Sequence, residues 1–338
     1  MRRLTLILSD LYLPEEARDA ATGANPVELP NLAWLLRFAR ARAGIRDWRT
    51  WLAGECGHPD LAQLPPAQVA ARDVLTSDFA DTAWFATPVQ FELRTDHVRL
   101  RERGLLRLAA DEVAPWCEEF ARDFGTQYQL HVGGARGFFL TGIAPTRAPT
   151  VDPARVLGSD VKPALGAVSA GLELFRVATE VEMWLHRSPL NAARERAGRP
   201  RISSLWLWGG GVSESEAAAG SARPMPAAGA ALYGEDLFAA ALARGSGSAP
   251  PRPAPRGFQD LPDDSEHAIV ELTPMSGERS DSLTALEPRW FAPVRAALNG
   301  GALDSLDLVA NDVHFHVAPR PAWRLWRRKL SWLELLKA

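Results

Sequence analysis

Residues 180–211 read EVEMWLHRSPLNAARERAGRPRISSLWLWGGG. A helical pattern ends near His186, and Pro189-Leu190-Asn191 restarts the chain, because proline suits a first helical turn and not an interior one. Arg194 and Arg196 fall on the short helix that follows, and Gly198 is placed to end it. The apolar run Ile202–Trp208 then reads as a buried strand that delivers the chain into Gly209-Gly210-Gly211. Glycines at a strand exit let backbone approach another group closely, and their N–H groups can hold an anion. The same three glycines also read as a plain tight turn. The stretch is thus helix, short helix, strand and glycine turn, the grammar of an α/β protein.

Working outward, Leu4–Leu8 is a short apolar strand closed by Ser9 and Asp10, and Asn31 or Pro30 opens an amphipathic helix through Ala39. Helical patterning returns around 66–75 after the breaker Pro65-Pro66. Segments 84–93 and 97–108 alternate like strands, 110–124 places Val113, Trp116, Cys117, Phe120 and Phe124 on one helical face, and 127–132 and 137–142 read as two further strands. A long helix is expected from Pro163 to His186, a helical island at Glu235–Ala243, a strand at 267–272, a helix over 284–298, and strands at 303–309 and 313–318. Residues 245–257 (GSGSAPPRPAPRG) have the composition of a mobile linker. Strands and helices at both ends with an α+β block between them predict an α/β core sheet flanked by helices, formed by 1–80 and 200–338, interrupted by an inserted α+β domain over 81–199.

The chain has 338 residues, 46% hydrophobic and 23% charged, with a formal net charge of -3, which suits a globular protein and excludes a disordered or collagen-like chain. Two cysteines, Cys56 and Cys117, make neither a disulfide framework nor a zinc knuckle. The near-neutral balance predicts no general nucleic-acid binding. The apolar run after Met1-Arg2-Arg3 is interrupted by Ser9 after five residues, short of an export core, and no stretch reaches a membrane span, so a cytoplasmic protein is expected. Twelve tryptophans against three tyrosines is a skew that concentrates in 184–208 and near the C terminus.

The spacing Leu185-His186-(x2)-Pro189-Leu190-Asn191-(x2)-Arg194-(x3)-Gly198-(x3)-Ile202, followed by Gly209–Gly211, resembles archaeal-type cofactor-independent phosphoglycerate mutases of the alkaline phosphatase superfamily. Ser204 to Gly211 is closer still to a proteobacterial family of RpfE-type regulatory proteins. The resemblance implies an alkaline-phosphatase-like core. It puts Asp10 where a metal-binding aspartate ends the first strand, and sets Arg136, Asn191 and Arg194 where polar groups face the substrate. Arginine forks suit phosphate and carboxylate. With Gly209 and Gly210 these residues are the expected ligand site. The same residues also read as surface ion pairs and a turn.

The dimetal chemistry of that superfamily needs Asp and His ligands and a Ser or Thr nucleophile. Here Leu11 replaces the familiar glycine after Asp10, and Arg49-Thr50-Trp51-Leu52 stands where a Gly-x-Ser context belongs. His267 near Glu271 repeats no ligand spacing. Asp312-Val313-His314-Phe315-His316 puts two histidines on one strand face, a feasible metal pair or an ordinary polar face. No metal site is therefore expected, with Asp10, Asp312, His314 and His316 the only candidate ligands. No catalytic residue stands out: a G-x-S-x-G elbow, a dinucleotide fingerprint and a P-loop are all missing from the sequence. The expected function is that of a catalytically degenerate mutase-like regulatory protein that binds a small phosphorylated or carboxylate metabolite or a protein partner. The alternatives are an active mutase or phosphatase using manganese or magnesium, and an interaction protein acting through a basic aromatic helix over Pro321–Ala338.

Overall fold

The computed structural model describes residues 3–13, 27–45, 47–125, 127–144, 146–168, 172–212, 230–245, 249–262, 266–276, 282–319 and 327–336. The chain divides into two compact units, Met1–Ala62 with Ala222–Ala338, and Gln63–Ser221. In chain order the first unit begins with β1 (Arg3–Leu8), α1 (Pro30–Phe38), β2 (Arg40–Ala43) and α2 (Trp48–Glu55). The second unit holds α3 (Pro66–Ala71), α4 (Ser77–Ala80), β3 (Trp84–Leu93), β4 (Val98–Leu105), α5 (Ala110–Phe124), β5 (Gln129–Val132), β6 (Phe138–Thr141), α6 (Lys162–Val168), α7 (Leu172–Arg187), α8 (Pro189–Arg196) and β7 (Ser204–Trp208). The first unit then resumes with β8 (Ala230–Tyr233), α9 (Leu237–Gly245), β9 (His267–Leu272), α10 (Leu283–Leu286), α11 (Ala292–Gly300), β10 (Ser305–Ala310), β11 (Val313–Val317) and α12 (Trp332–Leu336).

The first unit is built on a six-stranded sheet in the order β2-β11-β10-β1-β9-β8. β8, β9, β1 and β10 run parallel, while β11 and β2 add antiparallel at one edge. β1 reads RLTLIL because a central parallel strand is covered on both faces and tolerates almost no polar residue. Leu4, Leu6 and Leu8 pack with Leu32, Leu35 and Leu36 of α1 and Val294 and Leu298 of α11. α1 opens on Pro30, and the distant Glu287 carboxylate accepts hydrogen bonds from the Asn31 and Leu32 amides, filling the role of a missing N-cap side chain. The helix expected over 284–298 is α10, one π-helical turn at Glu287–Phe291, and α11.

β10 and β11 form a two-residue hairpin. Asn311 and Asp312 occupy its turn with φ of 49° and 59°, the left-handed pair that a tight hairpin of this hand requires. Part of the supposed linker is also pinned. Arg252 bridges β8, its amide donating to the Leu232 carbonyl while its carbonyl accepts the Gly234 amide. The basic helix expected over Pro321–Ala338 is corrected likewise. Among the described residues of that stretch only Trp332–Leu336 are helical, and Arg327, Arg328 and Lys329 precede the helix outside any regular element. Arg327 donates to the carbonyls of Arg37 and Ala39, and Trp332 is buried, its indole N–H donating to the Val27 carbonyl at 2.9 Å.

The second unit carries a five-stranded antiparallel sheet, β4-β3-β6-β5 with β7 also paired to β3. β7 therefore belongs to this unit, whereas the sequence reading grouped it with the core. Its register sets Phe85 opposite Trp208 and Thr87 opposite Trp206. α5 and α7 bury an aromatic cluster against this sheet. Trp116 meets Trp184 edge to face at 5.5 Å between ring centroids, and Phe120 meets Trp184 at 5.2 Å. Of the helical stretch expected from 163 to 186, the described residues are helical in α6 and α7, and 169–171 lie outside the described residues. Among the described residues no helix is long and apolar enough to cross a membrane.

Candidate functional site

In an open α/β sheet, ligands gather at the carboxyl ends of the parallel strands, where loops from adjacent strands converge. Here β1 ends at Ser9 and Asp10, β9 at Glu271 and Leu272, and β8 leads to Gly234, Glu235 and Asp236. Of the four acidic residues at this edge, Asp10, Glu271 and Asp236 are buried and Glu235 is exposed. Asp10 accepts from the Met275 amide, the Ser276 amide at 2.7 Å and the Ser276 hydroxyl at 2.5 Å. Glu271 accepts the Ser9 hydroxyl at 2.6 Å and the amides of Glu235 and Asp236 at 3.2 Å. Gly234 sits so close that a Cβ there would lie 2.7 Å from Glu271 Oε2, with φ at +147°. Asp236 caps α9 through the Phe238 and Ala239 amides and pairs with Arg49 at 2.8 Å. The edge is a closed lattice of charge-assisted bonds.

A second polar cluster lies on the sheet face in the same unit. Asp307 accepts from His314 Nε2 at 2.8 Å and His316 Nδ1 at 2.9 Å, both on the same carboxylate oxygen, while Arg3 Nε donates to the other at 2.9 Å. Burial by itself raises the Asp307 carboxyl, but the two imidazoles and the Arg3 guanidinium outweigh it and hold the group far below the ordinary aspartate range. Thr5 Oγ1 lies 3.0 Å from His267 Nε2. Burial, helped by Arg3, pushes the His267 imidazole down to about 4.

The two divalent metals implied by the mutase resemblance do not fit these residues. Asp10 is already filled by Met275 and Ser276, and the His314 and His316 nitrogens nearest Asp307 bond its carboxylate instead of converging with Asp10. Asp312 is a hairpin-turn residue. His316 faces Asp307, which faces Thr5 across the sheet, five residues short of Asp10 and so about 16 Å away along the strand. Among the described residues no group of three or more His, Cys, Asp or Glu side chains is arranged to hold a metal ion. The thiols do not replace such a centre as nucleophiles. Burial, with Glu55 beside Cys56 and Glu118 beside Cys117, pushes both up to about 11.

The remaining expected ligand residues lie in the second unit. Asn191 is buried and bonds three backbone groups: Nδ2 donates to the Leu185 and Ile202 carbonyls at 2.8 and 2.9 Å, and Oδ1 accepts the Ile202 amide at 2.8 Å. Arg194 donates to the Pro200 carbonyl at 3.0 Å and pairs with Glu112, which also holds Arg199. Gly209 donates its amide to Thr150 Oγ1 at 3.1 Å and accepts the Ala67 amide at 2.8 Å. Gly210 lies against Trp84, where a Cβ would come within 2.5 Å of the indole. Arg136 follows Gly133 and Gly134 on the β5–β6 connection. The structure thus gives Asn191, Arg194 and Gly209 internal partners. The residues that sequence reasoning missed, Ser276, Asp236 and Asp307, carry one signal: each is polar beside or within an apolar strand or at a helix start.

No family model matches the chain, and no curated protein matches it. Among solved structures it is similar to a Pyrococcus horikoshii protein, PH0037, at 16% identity and a TM-score of 0.41, over 94% of this chain and 87% of that one. It is similar also to the cofactor-independent phosphoglycerate mutase of Thermoplasma acidophilum, at 15% identity and a TM-score of 0.36, over 94% of this chain and 89% of that one.

Proposed function

We propose that this chain is a catalytically degenerate relative of the cofactor-independent phosphoglycerate mutases, of the RpfE-type regulatory family, and that it acts by binding a small phosphorylated or carboxylate metabolite. One observation carries the reading. Asp10, at the position where the resemblance calls for a metal ligand, spends its carboxylate on two backbone amides and the Ser276 hydroxyl. A carboxylate so engaged would have to give up three donors before it could bind a cation, and each buried donor left behind costs about 1–3 kcal/mol. The free thiols of Cys56 and Cys117 support a reducing compartment.

Purified protein supplied with manganese and 2- or 3-phosphoglycerate tests this reading. No interconversion above the buffer rate is expected, and manganese-dependent turnover lost in Asp10→Ala would overturn it.

A further inference from the structure

We infer that the face formed by Arg40, Arg42, His314 and His316 at the β2–β11 edge binds a phosphate monoester group. The register sets Arg40 opposite His316 and Arg42 opposite His314, so all four side chains leave the same face of two paired strands. Residues two apart on a strand are about 6.6 Å apart, and facing residues about 5 Å. Two guanidinium and two imidazole groups on that small rectangle suit one tetrahedral dianion better than an extended polymer. The chain's net charge of -3 also lacks the broad basic footprint of a nucleic-acid binder.

Arg40 and Arg42 are exposed, and their side chains make no hydrogen bond or ion pair with the described residues. That sets them apart from Arg3, Arg49, Arg194 and Arg327, which have internal partners. The histidines are held from beneath. One buried Asp307 oxygen takes His314 Nε2 and His316 Nδ1, which leaves His314 Nδ1 and His316 Nε2 for another partner. A carboxylate behind an imidazole fixes its orientation, as it does for histidines that hold ligands. Trp51 of α2 packs on the His314 ring at 5.1 Å between centroids and fixes it further. Glu55 marks the acidic limit of the face and is itself paired to Arg3 at 3.0 Å.

This inference deepens the binding reading above and rests on it. The test is a titration of the full-length protein with inorganic phosphate, followed by the ring signals of His314 and His316 in heteronuclear NMR. Saturable shifts are expected, absent with chloride at equal ionic strength. In the doubly substituted Arg40→Ala/Arg42→Ala protein, both surface changes, the affinity should fall by about tenfold or more with the fold intact by circular dichroism. No saturable shift, equal shifts with chloride, or an unchanged affinity in the double variant would overturn the site. Phosphate affinity lost in Arg136→Ala but kept in the double variant would also overturn it, while leaving the binding reading in place. The phosphate source is separated by a second arm: 3-phosphoglycerate competing with inorganic phosphate marks a soluble ligand. Co-sedimentation with phosphatidylcholine vesicles only when they contain phosphatidic acid, lost in the double variant, marks a lipid headgroup at the same residues.

Discussion

The Ser276 hydroxyl donates to Asp10 Oδ2 at 2.5 Å, joining the end of β1 to a loop more than 260 positions away in sequence. With the Met275 and Ser276 amides it turns a carboxylate at the carboxyl edge of the sheet into a structural acceptor. Asp10→Ala should therefore act on stability. Two amides lose their acceptor, and unfolding by urea should show a loss of about 2 kcal/mol or more. Ser276→Ala, which removes one donor and leaves the amides bonded, should cost about 1 kcal/mol.

Asn191 ties the end of α7 to the start of β7 through three backbone bonds from a buried amide. Asn191→Ala should destabilise the protein by about 3 kcal/mol, because the Ile202 amide and two carbonyls are left without partners and a cavity opens. A shift of the urea midpoint with little change in phosphate affinity is the expected pattern.

Gly210→Ala should also be costly. The new methyl would meet the Trp84 indole at 2.5 Å and the Ala83 carbonyl at 2.6 Å, neither of which is a flexible chain end. Overpacking of this kind costs about 1–3 kcal/mol. Thermal unfolding compared with wild type checks it.

Stability should fall with acid in two stages. The folded His267 titrates at about 4 against an ordinary value of 6.5, so the unfolded chain binds more protons between those values. Its contribution is complete above pH 6.5 and is lost as the pH drops towards 4. Asp307 is depressed below its ordinary 3.8, so its contribution is present above that pH and is lost only on further acidification. His267→Gln should flatten the first stage and leave the second. Urea midpoints measured from neutral to strongly acidic pH resolve the two.

Much of this architecture was legible where periodicity was strong. α5 matches its expected span because Val113, Trp116 and Phe120 repeat at helical spacing, and β1 and β9 match because apolar runs closed by polar residues have few other uses. β2 was illegible. Its RARA alternates methyl with arginine and carries no hydrophobic face, so only pairing with β11 makes it a strand. β8 hides in an alanine-rich stretch for the same reason. Asp312 looked like a ligand because a chemical motif was sought there, yet Asn311-Asp312 between two alternating runs is hairpin chemistry. The carboxylate lattice was beyond reach. Asp10 with Ser276, and Arg3 with Asp307, are brought together by parallel strand order, which no local pattern encodes.

The most direct test of Asp10 as a structural acceptor is calorimetric titration of manganese into the wild-type protein and Asp10→Ala. The account predicts that no stoichiometric uptake depends on Asp10, with superimposable isotherms for the two proteins. Stoichiometric manganese binding in the wild type that disappears in Asp10→Ala would contradict it.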